Sequence, residues 1–168
     1  MSNLEKYRSL LTDVDALLLT GRVNRMYAAQ YGIAEGVCVI TRDEAFYFTD
    51  GRYIEAAQNN LKGFTALIVD REHPYTDRIN EVIAKYTVKT LGFEEAELTY
   101  AEYQRYSAKL HAVLVPYQDK LDAPRAAKEP WELERMRAAQ KVTDKVFAEL
   151  LDVIHAGMTE KELEAELI

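Results

Sequence analysis

The sequence has a single cysteine and no long apolar segment. Because Cys38 has no second cysteine to pair with, an intrachain disulfide is excluded. The apolar runs are about four or five residues long, whereas roughly 18 apolar residues are needed to cross a bilayer, so we expect no membrane insertion. Residues 1–5 also lack the basic and apolar regions of a secretory signal peptide. These features together predict a cytoplasmic protein.

Metal-binding and phosphate-binding patterns are missing as well. None of the three histidines has a second histidine, a cysteine or a carboxylate at the spacing of metal ligands. The glycines form no phosphate-cradling loop between a strand and a helix, so nucleotide binding has no support. We therefore predict no metal site in these 168 residues. The three histidines are His73, His111 and His155.

The charge balance is acidic, with 28 acidic against 21 basic residues and a net charge of -7. A surface built to neutralise a phosphate backbone is therefore not expected, and nucleic acid is disfavoured as a partner. Three tyrosines at spacings of three, Tyr100, Tyr103 and Tyr106, predict a partly buried helix flank rather than a platform for stacking bases. Hydrophobic residues make up 48% of the chain and charged residues 29%, which is typical of a globular domain with one core.

Short apolar runs bounded by turn residues predict strands. Most of these runs show no polar alternation, which is typical of strands that are covered by helices on both faces. The Thr41–Glu44 turn is short enough to join two of them as a hairpin, so we predict an α/β fold with a mixed β-sheet. The runs are Ala16–Leu19, Val37–Ile40, Phe46–Phe48, Ala66–Val69 and Ala112–Val115.

Helices are predicted between the strands and again at the end of the chain. The pairs Ser2 with Glu5 and Thr99 with Glu102 have the spacing of a capping box, in which each side chain binds the other residue's free backbone N–H. These pairs predict helices near residues 3–12 and 100–110, and further helical patterns cover residues 52–61 and 76–86.

The chain changes character after Pro116. We predict an α/β domain over residues 1–122, a linker over 123–130 and helices over 131–168. Pro130 suits the first turn of a long helix, and Gly157 ends it before a third capping pair, Thr159 with Glu162. These last helices are amphipathic and need a hydrophobic layer to pack on. Either they fold back onto the rest of these residues, or they cover a part of the protein that these residues do not contain.

Two segments are candidates for function. The turn Thr49–Tyr53 follows a strand and precedes a helix, so Asp50 can cap the helix and Arg52 and Tyr53 are displayed on its first turn. The alternative is that this is turn chemistry alone, with the arginine and the tyrosine packing locally. The second candidate is the loop Gln30–Gly36, since exposed loops often carry function.

The order of these segments resembles the N-terminal part of the creatinase, prolidase and aminopeptidase P family. The resemblance covers essentially the whole chain, and its most specific pieces are the Asp-Gly-Arg-Tyr turn and the Lys-Glu-Pro helix start followed by Gly-Met-Thr-Glu. The matching segments are Asp15–Leu19, Asn24–Tyr31, Glu35–Val37, Thr49–Tyr53, Leu91–Glu94, Leu98–Tyr100, Arg125–Pro130, Glu132–Glu134 and Gly157–Glu160.

The resemblance implies a ribonuclease H-like α/β domain followed by the first helices of a pita-bread peptidase domain. It implies a parent enzyme that hydrolyses the peptide bond before proline with two divalent metal ions, Mn, Co or Zn. Because the ligands of those ions lie later in the family's sequences, this chain alone is expected to be inactive. The resemblance also implies a homodimer, with a proline-containing peptide as substrate and with Arg52 and Tyr53 near the substrate entrance.

One segment departs from the family pattern. Family members commonly carry a Tyr-Leu-Thr-Gly-Phe-like stretch near an active site, often that of a partner subunit, where this chain has Tyr27–Tyr31. Two alternatives to an Xaa-Pro peptidase stay open: a non-catalytic protein-interaction scaffold and a creatine amidinohydrolase-type enzyme.

Overall fold

A computed structural model describes residues 1–33 and 35–166, which form two separate units, residues 1–126 and residues 127–168. Among the described residues, no helix combines the length and the apolar character that a bilayer crossing requires. Ala34, Leu167 and Ile168 lie outside the described residues, so part of the Gln30–Gly36 candidate loop and the end of the last predicted helix are not described.

The first unit is a six-stranded sheet with helices on both faces. The strands lie in the order β4-β3-β2-β1-β5-β6, and every strand runs parallel to the others except β2. The strands are β1 Ala16–Leu19, β2 Val37–Ile40, β3 Ala45–Thr49, β4 Thr65–Ile68, β5 Thr90–Phe93 and β6 Val113–Pro116. The helices are α1 Asn3–Arg8, α2 Arg22–Ala29, α3 Ile54–Asn60, α4 Tyr75–Tyr86, α5 Tyr100–Lys109 and α6 Gln118–Ala126.

The two faces of the sheet form two cores because successive side chains of a strand point to opposite faces. Leu17 and Leu19 of β1 pack with α1, α2, α3 and α6, whereas Ala16 and Leu18 pack with α4 and α5. All residues of β1, β2 and β3 are buried, as the unbroken apolar runs predict, while the outer strands β4 and β6 are partly exposed. The predicted α/β fold with a mixed sheet is confirmed.

The helix caps agree with the sequence in two of three places. Thr99 with Glu102 forms the complete capping box, and Thr159 with Glu162 makes the same reciprocal hydrogen bonds. At α1, Ser2 accepts from the Glu5 N–H, but the Glu5 carboxylate binds the Arg8 guanidinium at 2.8 Å. The nearby arginine therefore takes the carboxylate that a complete capping box would use.

The sequence did not predict three elements, namely α2, β5 and α6. The last of these extends through Ala126, with Pro124 inside it, so helix occupies part of the segment predicted as linker. The boundaries at 122 and 130 remain predictions of domain organisation.

The second unit consists of α7 Pro130–Val153 and α8 Glu160–Glu166. Pro130 occupies the first turn of α7 as predicted, and Glu129 and Glu132 form a capping box that was not predicted. Large apolar side chains of α7 are exposed, with Phe147 at 59% and Leu151 at 58% of full exposure. The helix therefore presents apolar surface along much of its length.

Candidate functional site

Two acidic residues and a glycine lie at the edge of the sheet where the parallel strands end. Asp50 follows β3, Glu94 follows β5, and Gly36 precedes β2, the one strand that begins at this edge. In α/β sheets the carboxyl edge is where ligands usually bind, in the crevice between strands whose following helices lie on opposite faces. Here that crevice lies between β1 and β5, because α2 covers one face and α5 the other.

The crevice between β1 and β5 contains the Glu94 carboxylate. Glu94 is fully buried, and it accepts hydrogen bonds from the backbone N–H groups of Thr20 at 2.6 Å and Gly21 at 2.7 Å. Asn24 Nδ2 donates to the other carboxylate oxygen at 2.8 Å. Burial raises the pKa of Glu94, and these three hydrogen bonds oppose that rise.

Glu94 takes the place that an anionic ligand would occupy. The N–H groups at the start of a helix form a natural anion site, and here those of Thr20 and Gly21, just before α2, bind a carboxylate of the same chain. Gly21 permits this approach, because a Cβ there would lie 2.7 Å from Glu94 Oε1. The hydrogen bonds in the crevice therefore stabilise the fold. A ligand would have to bind on the surface next to the crevice.

Asn24 extends this buried network to the end of the unit. Its Oδ1 accepts from the Tyr7 hydroxyl at 2.8 Å and from Arg125 Nε at 2.7 Å. Its Nδ2 also donates to Asp122, whose Oδ1 is bound by Arg125 Nη2 at 2.6 Å. Charge-assisted hydrogen bonds thus join α2, α6 and the end of β5, and the neutral bond from Tyr7 adds α1 to the network.

A second polar cluster holds the candidate loop at residues 35 and 36. The buried Arg25 guanidinium donates to the Gly36 carbonyl, and the Thr49 hydroxyl donates to the Glu35 carbonyl at 3.0 Å. Gly36 has φ +143, and a Cβ there would lie 2.5 Å from the Tyr47 ring, so only glycine fits. Side chains of α2 and β3 therefore hold the end of the loop in place.

The side chain of Arg52 is exposed, whereas that of Tyr53 is half-buried. Arg52 Nη2 lies 2.6 Å from Asp50 Oδ2, and the arginine side chain keeps 69% of its exposure. Its guanidinium lies 5.1 Å from the centre of the Tyr53 ring, and Tyr53 packs on the core beside α3. Arg52 holds the pKa of Asp50 below its ordinary value through this pairing.

The predicted helix cap at Asp50 is wrong in detail. Asp50 Oδ1 accepts from the Arg52 backbone N–H at 2.9 Å, which forms a turn, while the residue that precedes α3 is Tyr53 and makes no side-chain cap. The two candidate segments nevertheless lie close together, since the Thr49 hydroxyl at the start of the turn donates to the Glu35 carbonyl at 3.0 Å.

Other reactive groups do not form a site among residues 1–33 and 35–166. No group of three or more histidine, cysteine, aspartate or glutamate side chains is placed to hold a metal ion. Burial raises the pKa of Cys38 far above its ordinary value, so its thiol is a poor nucleophile.

A mixed sheet covered by helices on both faces, with a carboxylate of the chain itself in the crevice between β1 and β5, defines an α/β domain. The sequence profile described as the creatinase/prolidase N-terminal domain matches residues 4–127. The chain therefore belongs to the creatinase/prolidase family, as its resemblance predicts.

Similar proteins include peptidases from several bacteria. An uncharacterized peptidase of Bacillus subtilis, YqhT, is 31% identical over 98% of this chain and 47% of its own length. An Xaa-Pro dipeptidase from Bacillus anthracis superposes with a TM-score of 0.90 at 27% identity, covering 98% of this chain and 46% of that chain. An aminopeptidase P chain from Streptococcus thermophilus superposes with a TM-score of 0.66 at 25% identity, covering 73% of this chain and 95% of that chain. The chain thus spans about half the length of the first two.

Proposed function

We propose that this chain is the N-terminal part of a metal-dependent Xaa-Pro dipeptidase or aminopeptidase, which hydrolyses the bond before proline. One observation carries the proposal: the similarity to the Bacillus anthracis Xaa-Pro dipeptidase extends over 98% of this chain, with a TM-score of 0.90. Because it covers only 46% of that enzyme, we assign the chemistry to sequence outside these 168 residues. The proposal includes a cytoplasmic location and assembly as a homodimer.

The residues of this chain do not fit the two divalent ions, Mn, Co or Zn, that such an enzyme uses. Among the described residues no cluster of metal-ligating side chains exists. We therefore assign no step of the reaction to a residue of this chain, and we propose that it contributes to oligomerisation and shapes substrate access.

Arg52 is our first choice for the residue at the substrate entrance. Its exposed guanidinium is held by Asp50 and backed by the Tyr53 ring, so it is oriented before a ligand arrives. Asp50 occupies the Nε–Nη2 edge of the guanidinium, which leaves the Nη1–Nη2 edge to bind, in a two-pronged geometry, the carboxylate in which an Xaa-Pro dipeptide ends. Tyr53 acts by supporting this arginine.

The test is the complete protein, expressed from its whole reading frame and assayed on an Xaa-Pro dipeptide and on creatine. We expect hydrolysis of the dipeptide, loss of activity with a chelator and recovery with added divalent metal. The 168-residue chain by itself is expected to be inactive. Hydrolysis of creatine instead would favour the amidinohydrolase alternative, and inactivity in the presence of each metal would favour the scaffold.

The matched variants are Arg52→Ala and Arg42→Ala. Arg42 is exposed in the turn between β2 and β3, at the opposite edge of the sheet from Arg52. We expect Arg52→Ala to raise KM about tenfold with little change in kcat, because it removes a binding contact rather than a reacting group. Arg42→Ala leaves both constants unchanged. Equal kinetics for the two variants would contradict the role given to Arg52.

A further inference from the structure

Two adjoining cavities lie where β5 and β6 end, between the start of α5 and the start of α6. The first has a volume of about 350 Å³ and the second about 360 Å³, and both are lined by Glu95 and Pro116. We call them together the β5–β6 groove. It is separate from the filled crevice between β1 and β5.

One end of the β5–β6 groove is aromatic. Its walls include the rings of Phe93 and Tyr103, which lie nearly parallel with centres 5.6 Å apart, and the ring of Tyr100. Tyr100 is 74% exposed and Tyr103 38%, and they are the exposed aromatic side chains in the described part of residues 1–126. The predicted helix flank is therefore buried only at Tyr106, and the other two tyrosines open onto the groove.

The other end of the groove is acidic. Glu95 Oε2 accepts from the backbone N–H groups of Tyr117 at 2.8 Å and Gln118 at 2.9 Å, so its carboxylate is fixed between the two cavities. Asp119 lines the second cavity. Lys120 is the one basic side chain in its lining, and its charge is already matched by an ion pair with Asp13. Glu95 and Asp119 therefore leave a net negative potential.

We propose that the β5–β6 groove docks a short proline-rich peptide segment that carries a basic residue at one end. Grooves lined with aromatic rings bind the polyproline II helix, whose preformed conformation reduces the entropy lost on binding. The acidic end selects an arginine or a lysine by charge, and this also disfavours a nucleic acid or a free anion as the occupant.

The hydroxyl group of Tyr100 suits such a ligand. A polyproline II segment makes no internal hydrogen bonds, so its carbonyl groups need external donors. Gln104 Nε2 donates to the Tyr100 hydroxyl at 3.0 Å, and this leaves the O–H of Tyr100 able to donate to a peptide carbonyl. The groove thus offers a ring surface for proline, a donor for the backbone and a carboxylate for the basic end.

The test is titration of the labelled 168-residue chain, followed by the NMR signals of its backbone N–H groups. The probe is acetyl-Pro-Pro-Leu-Pro-Pro-Arg-amide, and two further peptides replace the arginine with glutamate or the four prolines with glycine. We expect saturable shifts confined to residues 93–104 and 113–120, with a Kd of about 0.1–1 mM, as is usual for a small transient interface. Both altered peptides should bind at least about tenfold more weakly.

Variants localise the effect. Tyr103→Ala should weaken binding about tenfold and Glu95→Gln about threefold, with the wild-type affinity falling as salt is raised. Glu55→Gln, an exposed carboxylate on α3, is the matched control and should bind as the wild type does. If a variant fails to fold, the wild-type titration by itself still tests whether the groove binds the peptide.

Three results would overturn the proposal: no saturable shift up to about 5 mM peptide, equal binding of the glutamate peptide, or shifts elsewhere in the chain. The same signals moving with protein concentration alone would show that a second copy of this chain occupies the groove, which also overturns it. The experiment does not involve peptidase activity, so it stands or falls independently of the proposed function.

Discussion

Gly21 and Glu94, 73 residues apart in sequence, are joined by a hydrogen bond of 2.7 Å from the Gly21 backbone N–H to a buried carboxylate. A Cβ at Gly21 would lie 2.7 Å from that carboxylate, so a side chain fits there only if the carboxylate shifts. This contact ties the end of β5 to the start of α2.

Gly21→Ala should lower the free energy of unfolding by about 1–3 kcal/mol, the usual cost of overpacking. The added Cβ would lie 2.7 Å from Glu94 Oε1 and 2.7 Å from Glu97 Cγ, so the network must shift. Urea unfolding followed by circular dichroism measures the change. Gly51→Ala is the control, because its Cβ would meet only Ile68 at 4.0 Å. Equal stability of the two variants would show that the Glu94 contact is not tightly packed.

The hydrogen bonds of Asp15 predict how the stability of the fold depends on pH. Its Oδ2 accepts from the backbone N–H groups of Lys89 at 2.8 Å and Thr90 at 2.9 Å, and these hydrogen bonds lower the pKa of Asp15. A carboxyl with a lowered folded-state pKa adds stability above its unfolded pKa of about 3.9, and this is lost as the pH falls through the folded value.

Asp15→Asn keeps an acceptor oxygen but removes the charge. We expect it to cost about 1 kcal/mol at pH 7, because charge-assisted hydrogen bonds are roughly twice as strong as neutral ones. The difference from the wild type should shrink towards zero near pH 2. Urea unfolding across this range measures it, with Asp43→Asn in the exposed hairpin turn as the control. A cost independent of pH would contradict the assignment to charge.

The sequence predicted the parts of the fold that depend on local patterns. The apolar runs of β1, β2 and β3 show burial on both faces directly, and Thr99 with Glu102 shows a cap within four residues. These features were predicted because neighbouring residues alone determine them.

Long-range polar contacts could not be predicted in this way. Helix α2 was missed because two of its buried positions are Asn24 and Arg25, polar residues that a hydrophobic pattern assigns to the surface. The partners of Asn24 lie far away in sequence, since Glu94 is 70 residues and Arg125 is 101 residues from it. Within the candidate site, the exposure of Arg52 was predicted, but the buried network of Glu94, Asn24 and Arg125 was not.

Arg25 should control the conformation of the loop that ends at Gly36. Arg25→Met removes the donor to the Gly36 carbonyl while filling similar space, so hydrogen exchange at residues 35–37 should speed up about tenfold. Arg25→Lys should lie between the two. Arg22→Met, an exposed position on the same helix, serves as the control. Exchange that rises equally throughout the chain would indicate global destabilisation rather than release of this loop.

The exposed apolar surface of α7 should make the 168-residue chain associate with itself. Contiguous exposed apolar surface usually marks an interface, and Met136, Val142, Phe147 and Leu151 are each more than half exposed. Analytical ultracentrifugation should show a sedimentation coefficient that rises with concentration. The double variant Phe147→Glu with Leu151→Glu should lower the association constant at least tenfold, since each charge would have to be buried in the interface. Val23→Glu, at an exposed position on α2, should not lower it. A chain that stays monomeric at every concentration would show that this surface does not drive association.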